Sequence, residues 1–97
     1  MCKRHYYIAV KNKFDAWATI YCGTNLPKMS KAFCKLEKQM EGYGFKFKLD
    51  IDENYDSDCG AFKTYEQVFG EPSQVGPTLT FDNVLRDIRK EFGEEAD

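Results

Sequence analysis

Seven residues near the middle of the chain alternate without a break. Phe45, Phe47, Leu49 and Ile51 take one parity; Lys46, Lys48 and Asp50 take the other. Side chains of a β-strand leave the backbone on opposite faces with period two, so this run is a strand with one apolar and one charged face. An apolar face of that kind must be covered by something. The chain therefore folds as a sheet with a layer packed on one side.

The covering layer is legible in helical spacing. Met29, Ala32, Phe33, Leu36 and Met40 fall on one face of a helix over residues 27 to 41. Asn25 or Thr24 can cap it, Pro27 suits its first turn, and Gly42 and Gly44 stop it. A second helix, roughly 60 to 69, gathers Ala61, Phe62, Tyr65, Val68 and Phe69 and ends at Gly70. Thr80 is the expected cap of a third, with Phe81, Val84, Leu85, Ile88 and Phe92 on its core face and Gly93 at its end. Before the first helix, 5–11 and 16–22 are rich in β-formers and flank a polar loop, which reads as a hairpin.

The element order is thus β-β-α-β-α-α, an α+β fold. If the third strand pairs beside the first, a crossover through the first helix gives spatial order 2-1-3, all antiparallel, with helices on one face. Ninety-seven residues make one domain, 1–97, with 94–97 a frayed acidic tail. Phe33, Leu36, Phe47, Leu49, Ile88 and Phe92 are the expected core. Eight Phe and six Tyr fill it, and this composition is not that of a disordered chain.

The stretch Tyr43-Gly44-Phe45-Lys46-Phe47-Lys48-Leu49 resembles the central strand motif of RRM RNA-binding domains in its Gly and its two alternating aromatics. It departs from that motif at Tyr43, Lys46 and Lys48, and the order of elements differs as well. Aromatics on an open sheet would stack bases. Their clean alternation with charges assigns Phe45 and Phe47 to the core instead.

Charge is sorted along the chain. Residues 1–48 hold ten Lys and Arg against three acids, a net +7; residues 49–97 hold four against thirteen, a net −9. Such an asymmetry acts on partners more than on fold. Asp50, Asp52, Glu53, Asp56 and Asp58 crowd one strand end and the loop after it. Lys28, Lys31, Lys35 and Lys38 form a stripe on the first helix, with Lys46 and Lys48 on the third strand. The ordinary reading of each is a solvated face. An EF-hand reading of the acidic loop fails, because Ser57 stands where Gly is needed and Lys63 where Glu is needed.

No catalytic motif, glycine-rich phosphate loop or zinc spacing is present, and the lone His5 has no nucleophile beside it in sequence. No metal and no cofactor is expected. No segment approaches the apolar length of a membrane span. The four cysteines, Cys2, Cys22, Cys34 and Cys59, lack paired spacing. They read as reduced, mostly buried thiols, and the chain as cytoplasmic (host-cell cytoplasm if phage-encoded).

These features favour a non-enzymatic binding protein. In the leading reading the acidic patch mimics nucleic-acid charge and docks on a basic, nucleic-acid-handling protein, an inhibitor. Small phage or mobile-element inhibitors of host defence, anti-CRISPR proteins among them, are similar in size and field. In the alternative, the lysines of the first half bind RNA or DNA directly. The acids are ranked first because they are concentrated on a loop, where functional contacts often sit.

Overall fold

The computed structural model describes residues 5–52, 64–70 and 77–93. The elements run β1 (His5–Lys11), β2 (Trp17–Gly23), α1 (Leu26–Gln39), β3 (Phe47–Asp52), α2 (Tyr65–Phe69) and α3 (Pro77–Phe92). The strands form one antiparallel sheet in the order β2-β1-β3, as the sequence predicts.

The hairpin between β1 and β2 is closed by Asn12. Its backbone N–H donates to the Ala16 carbonyl at 2.8 Å, and its side-chain oxygen accepts from the N–H groups of Phe14 (2.9 Å) and Ala16 (3.1 Å). An Asn side chain bonding the backbone ahead of it fixes a turn. Asp15 completes the turn in the left-handed region, at φ 65°.

A bulge follows. Ile8 pairs with Tyr21 and Ala9 with Thr19, which leaves Ile20 as the extra residue of β2. Ile20 and Tyr21, consecutive in sequence, therefore both join the core.

Helix α1 starts at Asn25, whose side chain accepts from the Lys28 N–H at 3.2 Å. Gly42 and Gly44, at φ 89° and 82°, turn the chain back toward β3 in a backbone region where other residues are strained. Strand β3 consequently begins at Phe47 rather than Phe45. Phe45 stays with the core, its ring 5.4 Å from Phe81 and 5.5 Å from Phe69. Edge and tilted packing of this kind suits aromatic quadrupoles.

The core lies between sheet and helices: Ile8 and Val10 from β1, Met29, Ala32 and Leu36 from α1, Val68 and Phe69 from α2, and Phe81, Leu85 and Ile88 from α3. Of the expected core residues, Leu36 and Ile88 are fully buried, while Phe33, Phe47, Leu49 and Phe92 are partly buried and packed against the rest. Two tethers join distant elements. The Tyr65 N–H donates to an Asp82 carboxylate oxygen at 2.7 Å, and the Tyr21 hydroxyl donates to the Gly93 carbonyl at 2.7 Å.

Two expectations about the helices are corrected. The second helix begins at Tyr65, not near residue 60, because Thr64 and Gln67 form a capping box that fixes its start; the expected residues 60–63 lie outside the described ones. The third helix begins at Pro77, proline being a residue type favoured in a first turn, so Thr80 lies within the helix and is not its cap. Ile51, one residue from the end of the edge strand β3, is 39 % exposed.

Phe81 has no exposed surface, whereas Phe47 keeps some. Phe81→Ala is therefore expected to lower unfolding stability by about 3–5 kcal/mol and Phe47→Ala by less. Urea unfolding of both variants checks this; a larger loss at Phe47 contradicts the packing described.

Candidate functional site

All three helices pack on the side of Ile8 and Val10. The opposite parity of β1 places Tyr7, Ala9 and Lys11 on the other face. Pairing extends that face sideways. Cys22 stands opposite Tyr7, Thr19 opposite Ala9, and Trp17 opposite Lys11 on β2. On β3, Asp50 stands opposite Tyr7 and Lys48 opposite Ala9.

Tyr7, Ala9, Trp17, Thr19 and Ile51 line a groove on this face. Ala9 and Cys22 are fully buried, and Trp17 is 43 % exposed.

The lysines pack on the rings. The Lys48 ammonium sits 4.8 Å from the Trp17 centroid and 5.6 Å from that of Tyr7, so one cation serves two rings. Lys11 sits 5.5 Å from Trp17. Each contact is a cation–π pair, worth about 0.5–1 kcal/mol where exposed. Such pairs fix the position of a ring and an ammonium together without removing the ammonium's donors.

Lys11 also meets Asp15 at 2.9 Å. The hydrogen bond from Lys11 and then its charge hold the Asp15 carboxyl below its ordinary value, and Lys46 pulls weakly the same way.

The residues singled out by sequence divide among several places. Asp50 lies exposed on the open sheet face, one of its oxygens accepting from the Ile51 N–H at 2.8 Å. Asp52 closes β3 opposite His5; Glu53, Asp56 and Asp58 lie outside the described residues. Lys28, Lys31 and Lys38 are exposed on α1, and Lys35 pairs with Glu91 of α3 at 3.2 Å. Lys48 belongs to β3, and Lys46 directly precedes it, its carbonyl accepting from the Lys11 N–H at 3.0 Å. The six lysines thus lie on two layers of the molecule, and Lys48 is placed against two aromatic rings. Phe45 and Phe47 are packed with the core, as expected.

Tyr7, Trp17 and Lys11 were not singled out by sequence. Lys11 was the available signal. A charged residue at an odd position of β1 marks the odd parity as outward, and Tyr7 shares that parity.

Among the described residues, no group of three or more His, Cys, Asp or Glu is arranged to hold a metal ion, and no helix is long and apolar enough to cross a membrane. Cys22, buried, and Cys34, exposed, are both thiols outside any disulfide.

The pairing of Lys11 with Asp15 has a measurable pH signature. A depressed folded-state pKa means that the pair favours folding above the ordinary carboxylate range. That contribution is lost as pH falls through the folded-state value. Carboxyl NMR titration is expected to find Asp15 titrating lower than a free Asp and to return it toward ordinary in Lys11→Ala. No change on that substitution contradicts the pairing.

No protein-family model matches the chain, and no curated protein or solved structure matches it either.

Proposed function

We propose that this chain is a non-enzymatic binding protein that takes single-stranded nucleic acid on the open face of its sheet. One observation carries the reading: the Lys48 ammonium lies within 5.6 Å of both Tyr7 and Trp17. The ammonium lies over one face of each ring, so a base stacks on the other face or displaces the ammonium, which then meets the adjoining phosphate. Stacking of a base on an aromatic side chain is worth about 1–3 kcal/mol and tolerates any sequence. A duplex hides its base faces, so the rings favour single strands.

The helix lysines Lys28, Lys31, Lys35 and Lys38 then contribute to the long-range field, with Lys35 already engaged by Glu91. Asp15 and Asp50 on or beside the same face moderate non-specific attraction. The rival reading, an acidic surface that inhibits a basic nucleic-acid-handling protein, draws on Asp50, Asp52, Glu53, Asp56 and Asp58. Among these, Asp50 stands opposite Tyr7 on the same face as Lys48.

Fluorescence anisotropy with labelled RNA and DNA at low salt tests the proposal. Single strands are expected to bind in the micromolar range and duplexes at least about tenfold more weakly. Trp17→Ala is expected to weaken single-strand binding by about fivefold or more. Lys48→Glu is expected to flatten the salt dependence by about 0.7 in log–log slope for each phosphate it no longer neutralises. A double change of Lys31 and Lys38 to Glu should leave binding nearly intact. Loss of binding in that double variant, with Trp17→Ala unaffected, moves the interface to α1. No saturable binding by the wild type overturns the proposal and leaves the acidic-surface inhibitor as the reading to pursue.

A further inference from the structure

Phe14, at the tip of the β1–β2 hairpin, is 73 % exposed, more than any other large hydrophobic residue described. It buries little, so the fold does not account for it. It is nonetheless held in place. Asn12 accepts from its backbone N–H, the Asn12 to Ala16 bond closes the turn beneath it, and the Lys11–Asp15 ion pair braces the turn from the side. The Lys13 ammonium lies 5.3 Å from its ring.

This tip is continuous with the sheet face. Lys11 is the last residue of β1 and Trp17 the first of β2, and the two stand opposite each other immediately below the turn. Lys11 touches both the Trp17 ring and the Asp15 carboxylate. From sheet to tip the rings are Tyr7, Trp17 and Phe14, and each has an ammonium within 5.6 Å of its centroid.

We infer that the bound single strand runs from the sheet face onto the hairpin tip, where Phe14 stacks a further base and Lys13 meets a further phosphate. Rings and ammoniums follow one another along the hairpin, as bases and phosphates do along a strand. A polyanion with flat faces fits such a series. An extended peptide would instead seek backbone partners at a sheet edge. The inference rests on the sheet-face reading and lengthens its footprint: oligonucleotides too short to reach the tip engage Tyr7 and Trp17 only.

Single-stranded oligonucleotides of increasing length, titrated against wild type, Phe14→Ala, Phe14→Tyr and Trp17→Ala, test it. On the longest, Phe14→Ala is expected to bind about fivefold or more weakly than wild type. Phe14→Tyr, which restores a ring, should bind within about twofold of wild type, because an aromatic face is what stacking requires. On the shortest that still binds, Phe14→Ala and wild type should converge, while Trp17→Ala stays weak at every length. Wild-type affinity in Phe14→Ala at all lengths, with Trp17→Ala impaired, overturns the extension and leaves the sheet-face reading standing. An equal loss at every length overturns the extension too. No binding by the wild type at any length overturns both.

Discussion

Strand β1 carries the architecture. It is the central strand, paired on both edges, and its side chains are divided between two environments. Ile8 and Val10 are fully buried under the helices; Tyr7, Ala9 and Lys11 leave on the other side. The described helices are committed to one face by their apolar stripes, so the other face keeps no second layer among the described residues. Ala9 is fully buried there, at the floor of a groove that Tyr7 and Trp17 also line. An open antiparallel face ordinarily alternates toward polar residues. This one carries two rings and the lysines that pack on them, an arrangement whose cation–π contribution to stability is small.

Period and parity were legible where apolar and charged residues alternate. Residues 45–51 declare their faces, and Phe47 and Leu49 pack against the core as their parity requires. Helix α1 was legible from spacing and from Asn25 and Pro27. The ring platform was not. His5-Tyr6-Tyr7-Ile8-Ala9-Val10 is apolar at nearly every position, so hydrophobicity alone assigns no face. In β2 the bulge turns both Ile20 and Tyr21 inward and breaks the period across the strand. Register, which depends on pairing across the sheet, decides which aromatics reach the surface.

Among the described residues, charges from the two halves of the chain meet in space at an ion pair between helices. Lys35, from the basic half, pairs with Glu91, from the acidic half. Asp15 sits on Lys11, and Asp50 shares a face with Lys48. Opposite charges side by side cancel over a few ångströms, well within the ionic screening length of about 8–10 Å at ordinary salt. What the sheet carries is a local pattern of ring and ammonium, the pattern from which we propose a flat, anionic ligand.

Trp17 is the chain's one tryptophan, so its emission reports on the open face directly. Titration of wild-type protein with a single-stranded oligonucleotide, followed by intrinsic fluorescence, measures whether bases reach that ring. Saturable quenching of Trp17, with a midpoint equal to the dissociation constant from anisotropy, is the predicted result. Saturating binding by anisotropy with unchanged Trp17 emission would contradict a stacking role for this face.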